Sequence, residues 1–395
     1  MHKTNTYTTK IDGYYFLHPF FFFAESVVTH IKSGDGIKTI IPFLEHPEVE
    51  HRIYAFRLTR ILSGTFGEDL ANELKPADKL PLFKDKLLDN QSTDGERSDA
   101  ACILANLPLS EDEVKTVLGS SFVGWTVVTL KDRLRSTNWR TTRSSSCLEE
   151  GLLGLLLHFT QSPDLQTVSV VKEHSLMNIF REQLNFPLKP RVKQLAALGL
   201  KNLSESRRTL ISTGDLEVQL SHGFCSSLVF MCGKRPPELP VCAIHNVSCE
   251  EDNQFCLLRS NCIKPLVDLL TDEDTNVQIA AVEALSTLVI DTSNNFKRAV
   301  DELEHLGVVE AAITLFTEVR PGILQERLLW MIERILRVES DINRHSLNQS
   351  LVRALVEAFK HGNANAKGYA QDALTNLKQL SGVSGKNSSQ SRPRR

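Results

Sequence analysis

Apolar residues recur along this chain in one short pattern. An apolar or small residue is followed by a large apolar residue four positions later and by another after three more. Counted from the first residue as position 0, positions 0, 4 and 7 lie along one stripe of an α-helix, so each copy predicts a helix with one buried face. Clear copies begin at Ala100, Ala196, Ala281 and Ala370, and looser copies begin at Tyr54, Leu152 and Leu328.

The copies are spaced like the units of a helical repeat. Successive starts lie 46, 52, 44, 85, 47 and 42 residues apart, and HEAT or armadillo repeats have periods of about 40–47 residues. A shorter apolar segment and a polar turn precede most copies, as in residues 262–277. One such unit cannot bury its own apolar face, so neighbouring units must stack. We therefore expect an all-α, right-handed α-solenoid of armadillo or HEAT type.

The repeat rhythm fails in one internal segment, where three prolines between 236 and 240 oppose helix continuation. The C-terminal end is rich in Ser and Gly and poor in apolar residues, which is typical of disorder. The predicted organisation is an aromatic-rich segment at 1–24 that is not a repeat, repeats 1–4 at 25–206, a degenerate repeat or Pro- and Cys-rich insertion at 207–261, further repeats at 262–380 and a disordered basic tail at 381–395.

Composition and motifs argue against several functions. The 45 Lys and Arg residues face 48 Asp and Glu residues, with a net charge of -3, so we expect no nucleic-acid partner. The sequence contains no G-x-x-x-x-G-K, H-E-x-x-H or G-x-S-x-G motif. We therefore expect no catalytic residue, no cofactor and no small-molecule substrate, and a protein partner instead.

The N-terminus bears on location. The first ten residues are polar and precede no secretory cleavage site, so a protein that is not secreted is expected. We predict a cytoplasmic protein, with association to the plasma membrane or nucleus left open. The aromatic run 14–23 is interrupted by His18 and Pro19 and is shorter than the roughly 20 residues of a spanning helix. It is interpreted as packing on the first repeat or as an ill-fitting terminus, with a membrane-surface anchor as the alternative.

Several segments resemble a known family. Residues 36–63 pass from a glycine-led apolar segment through a polar turn to a longer helix, the hallmark of an armadillo repeat. Together with 52–62, the blocks at 147–160 and 242–258 are similar to the C-terminal region of plant U-box armadillo ubiquitin ligases. The resemblance extends over residues 25–380.

This resemblance implies a scaffold that works in ubiquitin transfer, where a U-box ahead of the repeats recruits the ubiquitin-loaded conjugating enzyme. A U-box typically opens with Cys-Pro, a dipeptide that does not occur in this sequence. We therefore expect this chain to be the substrate- or partner-binding part of a ligase-like protein. Two alternatives stay open: a ubiquitin ligase whose U-box lies outside this sequence, and a membrane-associated signalling regulator.

Cysteine and histidine cluster in the irregular segment. Cys242, His245, Cys249 and Cys256 offer thiolates and an imidazole, the ligands that a structural Zn²⁺ prefers. Their spacing differs from the usual paired C-x₂-C ligands of zinc sites. A set of small buried residues, or a redox or disulfide pair, is the alternative interpretation.

Position 6 is polar in all seven copies, and these residues are Arg60, Asn106, His158, Asn202, Thr287, Arg334 and Asn376. In armadillo proteins that the chain resembles, the matching position faces the inner groove, and an amide there can pair with a peptide backbone. The alternative is a solvated helix edge, which every amphipathic helix has. The row is our candidate partner-binding groove.

One aromatic residue refines this prediction. Nuclear-import receptors of the armadillo class pair the groove Asn with a Trp four residues earlier, on the same helical face. Here Trp330 is the one Trp at that position and its partner is Arg334, so a receptor for basic cargo is not expected. Arg60, His158 and Arg334 favour a ligand with some acidic character.

Overall fold

The computed structural model describes residues 36–89, 91–135, 143–161, 174–185, 189–212, 257, 260–289, 296–337 and 348–387. Within these ranges the regular elements are helices, and no strand occurs. The chain divides into two compact units, Met1–Pro108 and Leu109–Arg395.

The first unit is built around two long helices. The helices are α1 Gly36–Ile40 with a 3₁₀ turn at Ile41–Glu45, α2 Val49–Thr65, α3 Gly67–Leu74, α4 Leu80–Leu88 and α5 Asp94–Asn106. Helix α2 packs against α5, and α4 packs on α5 from its own repeat. Phe56 of α2 and Phe83 of α4 are fully buried, and their rings meet edge-on at 5.5 Å.

The second unit stacks its long helices in chain order. The helices are α6 Glu111–Glu113 with a π-helical turn at Val114–Leu118, α7 Ser120–Arg135, α8 Arg143–Gln161, α9 Leu176–Leu184, α10 Pro190–Ser212, α11 Ile263–Asp268 with a 3₁₀ turn at Leu269–Thr271, α12 Thr275–Ser286 with a 3₁₀ turn at Thr287–Val289, α13 Phe296–His305, α14 Val308–Glu318, α15 Ile323–Leu336, α16 Gln349–His361 and α17 Ala364–Asn387. Helix α8 packs on α10, α10 on α12, α12 on α15 and α15 on α17. A shorter helix packs on the long helix that follows it in four cases, which are α9, α11, α14 and α16.

The predicted copies lie on these long helices, and the all-α architecture of stacked repeats is confirmed. Ala196, Leu200 and Leu203 of α10 are at most 1% exposed, as the pattern predicts. The matching residues of α5, α8, α12 and α15 are buried in the same way. The buried stripe of each helix is what its neighbours cover, because burial of apolar area drives the stacking.

The first copy was predicted one residue out of register. Tyr54 is 66% exposed, whereas Ala55, Thr59 and Leu62 form the buried stripe of α2. The correct register could not be predicted from the apolar pattern, because Thr59 is a polar residue within the buried stripe. Its hydroxyl donates to the Ala55 carbonyl at 2.8 Å, so it is buried at little cost.

Local sequence determines where helices begin and how closely they approach. Thr93 and Glu96 form a reciprocal capping box at the start of α5. In α10, a side chain at Gly199 would place its Cβ 2.5 Å from the Phe180 ring of α9. The glycine is therefore needed for the close approach of these two helices.

Two helices extend into segments that were expected to be irregular. Helix α10 continues through Ser212, past the predicted insertion boundary at 207, and α17 continues through Asn387, into the predicted tail. Both extensions are regular helix, which needs only local backbone hydrogen bonds. Among the described residues, none of the helices combines the length and apolar character needed to cross a membrane. The aromatic run 14–23 lies outside the described residues.

Candidate partner-binding surface

The residues predicted at position 6 lie on long helices, except for Thr287, which begins the 3₁₀ turn after α12, and their degrees of exposure differ. Asn202, Arg334 and Asn376 are half-buried, so parts of their side chains reach solvent. Thr287 is 1% exposed. It lies within the interface between two helices and supports the stack, so a partner cannot contact it in this arrangement.

Three of these residues join consecutive repeats by hydrogen bonds. Asn106 Nδ2 donates to Ser63 Oγ at 3.1 Å, and Asn202 Nδ2 donates to Thr160 Oγ1 at 3.1 Å. Thr287 Oγ1 lies 2.7 Å from Ser204 Oγ. With the register of α2 corrected, each of the three partner hydroxyls is at position 8 of the preceding copy. Position 6 of one repeat is therefore linked to position 8 of the repeat before it.

Two of these three hydroxyls, those of Ser63 and Thr160, are held for this contact by their own helices. Ser63 donates to the carbonyl of Arg60 at 2.8 Å, and Thr160 donates to the carbonyl of Leu157 at 2.9 Å. A hydroxyl has one proton and two acceptor lone pairs. Having given its proton to its own helix, each accepts from the amide of the next repeat.

Charged side chains make a second set of links between long helices of the second unit. Glu283 of α12 accepts from Lys201 of α10 at 3.1 Å and lies 3.2 Å from Arg327 of α15. Lys193 Nζ donates to Asp272 Oδ2 at 2.6 Å. Burial alone would raise the pKa of Asp272, but hydrogen bonds from Lys193 and from the Asp274 amide lower it below its usual value.

The end of the second unit has an aromatic and cationic cluster. The Arg334 guanidinium lies 5.3 Å from the centre of the Trp330 ring, a cation–π arrangement. Beside it, the buried carboxylate of Glu333 binds Arg337 at 2.5 Å, and Asn376 Nδ2 is 3.5 Å from the same oxygen. The cluster joins α15 to α17, and Trp330 and Arg334 are both half-buried.

Positions 2 and 6 of α10, α15 and α17 carry accessible side chains, which together we call the 2/6 edge. Because the two positions are four residues apart, they lie on one face of each helix. All of its members are half-buried or exposed. The 2/6 edge consists of Leu198, Asn202, Trp330, Arg334, Asp372 and Asn376.

Sequence reasoning identified the polar row but missed its partners. The position-8 hydroxyls and Glu333 were not predicted, because each meets its partner 42–83 residues away in sequence. A Ser or Thr at position 8 of three copies is the signal that could have indicated the hydroxyls. Arg60 pairs with Asp99 at 2.7 Å in the first unit. With the register of α2 corrected, Arg60 is at position 5 and Ile61 is at position 6, so Arg60 is not a member of the row. His158 is half-buried on α8.

The predicted zinc set, Cys242, His245, Cys249 and Cys256, lies outside the described residues. The neighbouring Cys262 is buried, and desolvation raises the pKa of its thiol to about 12. A buried thiol with a raised pKa is a poor nucleophile, and Cys262 contributes to packing.

Comparisons with known proteins place this geometry in a class. The family model described as Armadillo/beta-catenin-like repeat matches residues 251–290. A designed armadillo repeat protein of solved structure superposes with a TM-score of 0.48 at 14% identity, covering 76% of this chain and 99% of that one. The matched segment is one armadillo repeat, and it lies in a chain whose described residues form stacked helices.

The similarity to plant proteins is more particular. The chain is 27% identical over 368 residues to U-box domain-containing protein 43 of Arabidopsis thaliana, covering 91% of this chain and 44% of that protein. It is 27% identical over 369 residues to U-box domain-containing protein 24 of Oryza sativa subsp. japonica, covering 90% of this chain and 43% of that protein. The chain therefore resembles plant U-box proteins over most of its length and spans less than half the length of these relatives.

Proposed function

We propose that this chain is a protein-binding scaffold that holds its partner along the 2/6 edge, as the substrate- or partner-binding part of a ubiquitin-ligase-like protein. The observation that carries the proposal is the unbroken packing of α8, α10, α12, α15 and α17, one on the next. Packed helices lie about 8–10 Å apart. An extended segment of a partner can therefore contact several repeats at once.

The chemistry of the 2/6 edge suits a peptide with acidic groups. Trp330 and Arg334 are residue types that dominate binding energy at protein interfaces. The guanidinium can bind a carboxylate through two parallel hydrogen bonds, and the indole ring beside it limits its motion. Asn202 and Asn376 carry amides, which pair with peptide groups.

Two substitutions test this surface. The partner is first identified by affinity capture with the full chain, and its affinity is then measured by calorimetry for W330A, R334A and the double variant. We expect each single variant to weaken binding by at least about 2 kcal/mol, as for an interface hot spot. F359A is the matched control, because Phe359 is an aromatic residue that is 44% exposed on α16 and is not part of the 2/6 edge. Unchanged affinity for the double variant would remove the 2/6 edge from the account.

A working ubiquitin ligase is the second candidate. It is favoured by the names of the relatives and by the fact that the chain spans 44% and 43% of their lengths. A ubiquitination assay separates the two: with a conjugating enzyme present, this chain should bind its partner without transferring ubiquitin to it. Transfer by this chain would show that ligase activity resides within it. Transfer only by a longer protein that contains both the chain and a U-box would assign the chain the substrate-binding role.

A further inference from the structure

A cluster of metal-binding side chains lies at the turn that leads into α2. His46, Glu48 and His51 each place a ligand atom within 4.8 Å of the ligand atoms of the other two. His51 Nδ1 is 2.6 Å from Glu48 Oε2, and the two imidazole rings are 4.6 Å apart. The cluster belongs to the first unit, whereas the 2/6 edge belongs to the second, and the cluster has no role in the proposed function.

The local backbone brings these three side chains together. Pro47 favours an extended backbone at the residue before it, and His46 has φ -62° and ψ 137°. Glu48 is the N-cap of α2 with an extended backbone. His51 lies three residues into the helix, on the face that returns toward the cap.

An aromatic wall and charge pairing complete the pocket. The Phe43 ring stacks on His46 at 5.8 Å and on His51 at 6.5 Å, which restricts both imidazoles. Arg52 contacts the His46 carbonyl, but its charge is paired with the Glu96 carboxylate at 2.7 Å. The cation therefore opposes a bound metal ion less than a free guanidinium would.

We propose that His46, Glu48 and His51 bind one divalent transition-metal ion of the Zn²⁺ type. Two imidazole nitrogens and a carboxylate oxygen are ligands that suit Zn²⁺. Ca²⁺ and Mg²⁺ prefer oxygen ligands, and this set offers a single carboxylate. Water completes the coordination, since all three side chains reach solvent.

Binding requires only small side-chain movements. Ligand atoms about 2.0–2.2 Å from a tetrahedral Zn²⁺ are about 3.3 Å apart, so some of the present separations must shorten. The Glu48 amide now donates to His46 Nδ1 at 3.2 Å. Whichever imidazole nitrogen of His46 binds the ion, this hydrogen bond is lost, because the other nitrogen then carries the proton. The amide is in an exposed turn and can bond to water instead.

Protection from chemical modification tests the site residue by residue. The full chain is stripped with a chelator and treated with diethylpyrocarbonate, which modifies imidazoles, with and without a small molar excess of Zn²⁺. Peptide mass spectrometry then reports each histidine separately, so metal bound by cysteines elsewhere does not confuse the result. His361 is the internal control, since it is an exposed histidine paired with a single glutamate, Glu357, at 3.5 Å.

We expect Zn²⁺ to slow modification of His46 and His51 by about tenfold or more and to leave His361 unchanged. H51A should abolish the protection of His46, and E48Q should weaken it by about tenfold, because each ligand contributes to one shared ion. These substitutions are at exposed positions and should not unfold the chain. Equal modification rates with and without Zn²⁺, or protection of His46 that survives H51A, would overturn the proposal.

Discussion

Two ion pairs, one in each unit, have nearly the same length and opposite effects on their carboxylates. Arg60 lies 2.7 Å from Asp99 in the first unit, and Lys193 lies 2.6 Å from Asp272 in the second. Burial outweighs the two nearby arginines and raises the pKa of Asp99. At Asp272 the hydrogen bonds outweigh burial, and the pKa is lowered.

The difference lies in what surrounds each carboxylate rather than in the pair itself. Asp99 is 7% exposed within α5, and Arg60 is its ion-pair partner. Asp272 is in a turn, where it also accepts from the Asp274 amide at 3.0 Å. An ion pair at a helix–helix interface stabilises the stack only when hydrogen bonds offset the loss of hydration. The distance between the two charges does not decide whether the ion pair stabilises the stack.

The largest effect is expected for Arg60→Ala. The substitution leaves the Asp99 carboxylate buried without its guanidinium partner, which should lower the free energy of unfolding by about 2–3 kcal/mol at neutral pH. Urea unfolding of the full chain measures this loss in the free energy of unfolding. Amide hydrogen exchange in residues 94–106 shows whether α5 is the part affected. The loss should shrink on acidification, when Asp99 takes up a proton; a loss that is constant with pH would show that packing, not charge, is responsible.

A neutral link offers a comparison without charge. Thr287→Val keeps the side-chain shape but leaves the buried Ser204 hydroxyl without its acceptor, so we expect a loss of about 1–2 kcal/mol. The same urea measurement applies, and the loss should not change between low and high salt. Thr375→Val is the matched control, because Thr375 is an exposed threonine of α17 that bonds only its own helix at 2.9 Å. Equal losses for the two variants would contradict the position 6 to position 8 link.

A smaller effect is expected for Lys193→Ala. Asp272 keeps the hydrogen bond from the Asp274 amide and gains access to water, so the loss should be below about 1 kcal/mol. Urea unfolding at low and high ionic strength checks it, and the difference from wild type should fall as salt is added. A loss as large as that of Arg60→Ala would remove the contrast between the two pairs.

The smallest effect is in the pH dependence of stability. The folded pKa of Asp272 is lowered, so its contribution is present above about pH 3.9 and is lost as pH falls from there through the folded pKa. The folded pKa of Asp99 is raised, so its effect has the opposite sign. Relative to D99N, wild type should gain stability as pH falls from that raised pKa toward about 3.9. Relative to D272N it should lose stability below about 3.9.

Thermal or urea unfolding of wild type, D99N and D272N is measured across the acidic pH range. It gives the slope, against pH, of the stability difference between wild type and each variant. Opposite slopes would support the account of the two carboxylates. Slopes of the same sign would contradict it.

Much of the fold follows from apolar periodicity, because the stripe through Ala196, Leu200 and Leu203 is all that a stacking helix needs. The register of α2 could not be predicted in this way. Tyr54 and Leu58 look like core residues in sequence, whereas Thr59 is buried because its hydroxyl is satisfied by its own helix. A rule based on hydrophobicity does not detect that compensation.

The sequence predicts which residues of the candidate surface lie beside the buried stripe, but it does not predict what these residues contact. That Asn202 and Asn376 stand beside the buried stripe follows from helical geometry alone. That Asn202 bonds Thr160, or that Asn376 approaches Glu333, depends on the stagger of neighbouring repeats, which no local pattern encodes. The corrected picture is a row that links repeats while keeping Trp330 and Arg334 accessible.

The most direct test of the central claim is site-specific photocrosslinking of a bound partner. A photoreactive phenylalanine derivative is placed at 330, on the 2/6 edge, and in a separate variant at 359, on the exposed face of α16. We predict that the partner crosslinks efficiently from position 330 and only at background level from position 359. Efficient crosslinking from position 359 with none from 330 would contradict the claim that the long helices hold the partner.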